Sequence, residues 1–93
     1  MYVYVLRSLL DGKRYVGMAE DYGKRKSEHD AGRVPSTKGR RPFVIEYVEE
    51  WPSRQEARER EKYFKTAAGR RHLDQLLNAG PVAQRIEQQP SKL

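Results

Sequence analysis

Five side chains in this sequence have the chemistry to act together on a phosphate ester: Tyr4, Tyr15, Arg25, His29 and Glu61. Phosphodiester hydrolysis needs a nucleophilic water, neutralised charge on the phosphoryl oxygens and a stabilised leaving group. A carboxylate holding Mg²⁺, an arginine, and a tyrosine or histidine beside the water would supply these. A tyrosine ordinarily titrates near pH ~10, so as a base it needs positive charge nearby or help from a histidine. Arg25 and His29 lie four residues apart, the spacing that shares a helix face.

Glu61 stands out by its phase. After Ser53 the spacing predicts a helix to about Ala68, with Ala57, Phe64 and Ala68 on its apolar face. Glu61 falls in that stripe, whereas Glu56, Glu59 and Arg60 point elsewhere. A carboxylate facing a core costs several kcal/mol unless it is paired or binds a metal. A cation such as Arg25, a divalent ion, or both would answer that need, as would a position at the stripe's edge within reach of water.

The elements that must position these groups are short. Tyr2 to Leu6 reads as a strand, Asp11-Gly12 as a tight turn, and Lys13 to Met18 as a second, antiparallel strand. Alternation puts Tyr2, Tyr4 and Leu6 on one face of the first strand, and Tyr15 and Gly17 on one face of the second. The right register would bring Tyr4 and Tyr15 together. Asp21 predicts an N-cap for a helix running to about Ala31, with Gly32 as its stop. That helix has almost no apolar stripe, so something other than a greasy face must hold it. Phe43 to Val48 is a third strand, apolar on both faces, which predicts a central place in the sheet. Ser53 and Glu56 form a capping box for the helix carrying Glu61. A further helix over Arg70–Leu77 faces the core with Leu73, Leu76 and Leu77, and residues 78–81 end it. Beyond Pro81 the chain is polar and Gln-rich, and reads as a mobile tail or a short appended helix.

Composition limits the chemistry. There is no cysteine among the 93 residues and there are only two histidines, His29 and His72. Thiolate sites and disulfides are excluded, and any metal should be a hard cation on oxygen ligands. No apolar run approaches the ~20 residues of a membrane span, and no leader pattern opens the chain. The expectation is a soluble, cytoplasmic protein. The net charge is +6, and the stretch from Gly32 to Pro42 holds Arg33, Lys38, Arg40 and Arg41 with no acid. Such a loop suits phosphate contact; a loop kept soluble by charge would read the same way.

In their order, these motifs resemble the GIY-YIG nuclease domain. Tyr2-Val3-Tyr4 stands where that family has Gly-Ile-Tyr, and Tyr15-Val16-Gly17 where it has Tyr-Ile-Gly, with the ten intervening residues typical of the family. Arg25 falls at the family's helix arginine, with His29 four residues on as in several branches. Glu61 falls at its metal-binding glutamate. The stretches Ser36 to Pro42 and Lys65 to Arg71 look like those of small stand-alone bacterial members. The likeness covers about residues 1–77 and leaves 78–93 as a tail. Tyr2 replaces the family's first glycine, and Asn78 is not matched to the late asparagine of some branches.

The resemblance implies an α+β fold, a small three-stranded antiparallel sheet flanked by helices. It implies an endonuclease that hydrolyses DNA, branched or damaged DNA included, with one divalent ion, Mg²⁺ or Mn²⁺, and a place in DNA repair. Carried over, Tyr4 is the general base, Tyr15 positions, Arg25 stabilises the phosphate, Glu61 holds the metal, and His29 assists Tyr4 or orients the phosphate. Gly17 would keep the backbone clear of the substrate, with Arg33, Lys38, Arg40 and Arg41 on the nucleic acid. Two other classes of function are set against this one. One is a nucleic-acid-binding module, or a nuclease subunit active only with a partner protein that supplies specificity. The other is a structural protein with a residual site.

Overall fold

The computed structural model describes the backbone of residues 1–78 and the side chains of residues 1–77. Of the stop expected over residues 78–81, Asn78 still belongs to the last helix, and residues 79–81 and the tail of 82–93 lie outside the described residues. Three strands, β1 (Tyr2–Ser8), β2 (Arg14–Ala19) and β3 (Phe43–Glu50), form one antiparallel sheet in the order β2-β1-β3. Helix α1 (Tyr22–Asp30) follows β2, and a 3₁₀ turn (Lys38–Arg40) precedes β3. Helices α2 (Arg54–Phe64) and α3 (Ala67–Asn78) follow β3. The α+β expectation holds.

The central strand is β1, not β3. Val3 and Val5 point to one face and pack with Val16, Ala57, Phe64 and Leu73. Tyr4 and Leu6 point to the other face and pack with Phe43. A strand covered on both faces carries apolar residues without alternation, and this describes Tyr2 to Leu6. The expectation of a central β3 fails because partial cover gives a similar pattern. Val44 is only half-buried and Ile45 is 36 % exposed. As an edge strand, β3 carries Glu46, Glu49 and Glu50, charges that discourage pairing with another chain. Its register against β1 shifts between Val5 and Leu6, so Glu46 is left over as a bulge. There it accepts from Arg7 Nε at 2.9 Å and Arg14 Nε at 3.0 Å, tying all three strands.

The hairpin turn is longer than Asp11-Gly12 alone. Leu9 to Lys13 connect the strands, and Gly12 takes the positive φ of 75° that closes the loop. The buried Ser8 hydroxyl accepts from the amides of Leu10 and Asp11 and donates to the Arg40 carbonyl at 2.6 Å. One side chain thus shapes the turn and fastens the basic loop to it.

The two helices expected, one from Ser53 to about Ala68 and one over Arg70–Leu77, are present, but the break between them falls earlier, at Lys65-Thr66. Ser53 caps α2 as expected, accepting from Glu56 N at 3.2 Å. The helix then ends at Phe64, and Thr66 opens α3 by accepting from Gly69 N at 3.0 Å. Gly69 lies against the end of α2: a Cβ there would sit 1.8 Å from the Tyr63 carbonyl oxygen. The break changes the stripe. Ala57 and Phe64 are buried, but Ala68 is exposed on the new helix. Arg60, expected to point away, lies with its guanidinium 4.4 Å from the Phe64 ring centre.

Arg60 also clamps α2 to β3. Its Nε and a terminal nitrogen donate to the two oxygens of Glu49, each at 2.9 Å. Glu49 accepts further from Tyr47 at 2.6 Å and Trp51 at 2.8 Å. Burial alone would raise the Glu49 carboxyl, yet Arg60, Tyr47 and Trp51 hold it below its ordinary range.

Gly69→Ala should lower the urea midpoint by the equivalent of about 2 kcal/mol or more, because backbone must move to admit the methyl. Gly39→Ala, with nothing within 4 Å of its Cβ, should shift it by less than about 0.5 kcal/mol. Equal midpoints for the two variants would contradict the close approach of α2 and α3.

Candidate active site

Tyr4 rises from the middle of the central strand and is 1 % exposed. Its register partner on β2 is Gly17. A Cβ on Gly17 would lie 2.5 Å from the Tyr4 hydroxyl oxygen and 2.6 Å from the ring. Gly17 is therefore the seat of the Tyr4 ring. It is buried beneath that ring rather than presented to a ligand, which corrects its expected place on the nucleic-acid surface. Tyr15 stands two residues back on the same face of β2, its ring centre 6.4 Å from that of Tyr4.

The second ring partner is His29. On sequence it belongs to an exposed polar face; in the structure it is 0 % exposed. Its ring packs edge-on against Tyr15 at 4.8 Å, Phe43 at 5.9 Å and Tyr4 at 6.0 Å. Helix α1 has so few apolar residues that the imidazole docks it together with Tyr22, which packs on the Tyr4–Leu6–Phe43 cluster. Polar bonds do the rest. Asp21 accepts from Lys24 N at 3.0 Å as the N-cap, and Asp30 accepts from Phe43 N at 3.1 Å, joining the end of α1 to the start of β3.

Both imidazole nitrogens are bonded. Nε2 lies 3.1 Å from the Tyr4 hydroxyl, and Nδ1 lies 2.7 Å from Thr37 Oγ1. Thr37 is also 0 % exposed and sits in the basic loop, 3.4 Å from the Val34 carbonyl. Neither Thr37 nor Ser8 stands out in the sequence, since a lone hydroxyl in a loop carries no periodic signal.

Burial shapes the titration of the pair. It pushes the Tyr4 phenol up to about 12, with Tyr15 adding to the rise and the nearby Arg25 guanidinium offsetting part of it. The charge of Glu61 adds a smaller upward push. Burial also lowers His29, and Arg25 lowers it further. At neutral pH the site thus holds a protonated phenol against a neutral imidazole. Arg25 itself donates to Glu28 at 2.7 Å.

Glu61 lies about one turn from each of the buried Ala57 and Phe64 on α2 and is itself partly buried. Its side chain is 20 % exposed, and it pairs with the more exposed Lys65 at 3.0 Å. Arg60 shares that side of the helix, its side chain 22 % exposed and laid over the Phe64 ring. Among the described residues, no three His, Asp or Glu side chains cluster as a metal cage. A single partly buried carboxylate with a flexible lysine partner fits a hard divalent cation that keeps most of its ligands as water and phosphate oxygens.

The four basic loop residues divide. Arg33, Lys38 and Arg41 are exposed. Arg40 is committed: its Nε donates to Asp11 at 3.1 Å and its guanidinium lies 5.9 Å from the Phe43 ring centre. Of the expected set, the structure brings Tyr4, Tyr15 and His29 into ring contact, with Arg25 and Glu61 acting on Tyr4 through space.

No helix among the described residues is long and apolar enough to cross a membrane. The family model of the GIY-YIG catalytic domain matches residues 1–74. A UPF0213 protein of Staphylococcus saprophyticus is 35 % identical over 80 residues, 85 % of this chain and 95 % of its own length. A UPF0213 protein of Listeria innocua is 36 % identical over 78 residues, 83 % of this chain and 84 % of its own. The solution NMR structure of a UPF0213 protein from Bacillus halodurans superposes with a TM-score of 0.52 at 32 % identity, covering 86 % of each chain. The resemblance seen in the two tyrosine motifs is thus a family relationship: the chain belongs to the GIY-YIG catalytic domain family, whose domain implies nuclease activity, and is similar to its UPF0213 members.

Proposed function

We propose that this chain is an endonuclease that hydrolyses DNA phosphodiester bonds, with one divalent cation, Mg²⁺ or Mn²⁺, at Glu61. The observation that carries the reading is the buried hydrogen bond between the Tyr4 hydroxyl and His29 Nε2. A phenol held near 12 is not an anion at neutral pH. Tyr4 then works as a relay. The attacking water gives a proton to the Tyr4 oxygen while the phenolic proton passes to Nε2. The new hydroxide forms a bond to phosphorus, and the ester P–O bond opposite it breaks. The departing alkoxide gains a proton through solvent, which His29 restores as it returns to neutral. Arg25 faces the phosphoryl oxygens, and Tyr15 sets the position of the Tyr4 and His29 rings. The cation, when bound, supplies Lewis-acid stabilisation of the phosphoryl and leaving oxygens.

Only three loop cations, Arg33, Lys38 and Arg41, stand exposed beside the site. That number supports weak, sequence-independent binding and favours a partner protein as the source of specificity. Each neutralised phosphate contributes about −0.9 to the slope of log K against log salt. The slope on duplex DNA should therefore be roughly −3, and Lys38→Ala should make it shallower by about 1. A slope near zero would remove the loop from the interface.

Cleavage is tested on a panel of duplex, nicked, branched and single-stranded DNA and RNA, with Mg²⁺, Mn²⁺ or EDTA. Wild type should cut DNA with either metal and not with EDTA. Tyr4→Phe and Glu61→Gln should each lose roughly 10²-fold or more in rate while keeping most of the binding. A Glu61→Gln variant that cuts as fast as wild type overturns the mechanism. Salt-sensitive binding with no cleavage in any metal would make the chain a binding module.

A further inference from the structure

Thr37 has no role in the proposed hydrolysis, yet it is fully buried against the imidazole on which that hydrolysis depends. We infer that Thr37 is a positioning residue that holds His29 in the tautomer with hydrogen on Nδ1, leaving Nε2 bare to accept from Tyr4. The consequence for catalysis rests on the nuclease reading; the tautomer does not.

Hydrogen-bond complementarity decides between two arrangements. In one, Thr37 donates to Nδ1, and Nε2–H donates to the Tyr4 oxygen. The phenolic proton then has no acceptor among the described residues, since its other polar neighbour, Arg25, can only donate. In the other, Tyr4 donates to Nε2 at 3.1 Å, Nδ1–H donates to Thr37 Oγ1 at 2.7 Å, and the Thr37 hydroxyl donates to the Val34 carbonyl at 3.4 Å. Every donor then has an acceptor, as buried polar groups require. At the far end the Thr37 hydroxyl, accepting from Nδ1–H, keeps its own proton for the Val34 carbonyl, a long contact at 3.4 Å.

Placement supports the same conclusion. Thr37 N also bonds the Val34 carbonyl at 3.1 Å, and Thr37 precedes the 3₁₀ turn of Lys38–Arg40. Its hydroxyl is set by a local turn and not by a flexible side chain. The loop that carries Lys38 and Arg41 therefore also determines which nitrogen of His29 accepts a proton.

The test compares wild type, Thr37→Ser and Thr37→Val. Nitrogen-15 NMR of labelled histidine reads the tautomer directly, with His72 as the second signal and His29→Ala for assignment. Wild type and Thr37→Ser should show Nδ1 protonated and Nε2 as acceptor. Thr37→Val should lose that preference and lower kcat by roughly 10²-fold with KM little changed, the size of a lost proton acceptor. Thr37→Ser should restore kcat to within a few fold. A wild-type His29 protonated on Nε2 overturns the inference, as does a Thr37→Val protein that keeps both the Nδ1 proton and full kcat. The wild-type spectrum decides the tautomer whether or not the valine variant folds. If wild type cuts nothing, the nuclease reading fails while the tautomer result stands.

Discussion

A buried imidazole must find a partner for each nitrogen, and His29 finds Tyr4 on one side and Thr37 on the other. These three residues come from the central strand, the first helix and the basic loop. Leaving either nitrogen unpaired would cost the desolvation penalty of a buried polar group, about 1–3 kcal/mol. The same pair of bonds thus docks a helix with little apolar surface and orients a phenol that the fold has driven out of water. Structure and chemistry share one interaction here.

The rest of the fold keeps that interaction in place. Gly17 leaves the volume that the Tyr4 ring occupies, and Tyr15 walls it on the side of β2. Ser8 ties the hairpin turn to the basic loop, and Asp30 ties the end of α1 to β3. On the opposite face of the sheet, Glu49 grips Arg60 and so fixes the helix that carries Glu61. Among the described residues, the most heavily satisfied carboxylate is therefore structural, while Glu61, with its flexible lysine partner, is left able to meet a cation.

What can be read from the sequence is local. The strand pattern of Tyr2 to Leu6, the caps at Asp21 and Ser53, and the shared face of Tyr4 and Tyr15 depend on neighbours a few residues away. The family motifs add the company these groups keep, as an ordered set. Three features depend on contacts between distant segments, and there the sequence misleads. The apolar β3 looks central because both its faces are partly covered. The break between the last two helices looks later than it is because no proline or glycine stands at Lys65-Thr66; Gly69 instead packs against the Tyr63 carbonyl from inside the last helix. His29 looks exposed because its own helix gives no hint of the three aromatic rings that enclose it. Glu61 draws attention by its phase alone, and the structure shows it partly buried with a lysine partner.

The role of Tyr4 would be seen without intermediary in a crystal structure of the protein with a DNA duplex and Ca²⁺, which holds the ground state without fast turnover. The expected result places a water in line with a scissile phosphate, within hydrogen-bond distance of the Tyr4 oxygen, with the Tyr4–His29–Thr37 chain intact and the ion on Glu61. A water held by some other side chain, with Tyr4 turned from the phosphate, would contradict it.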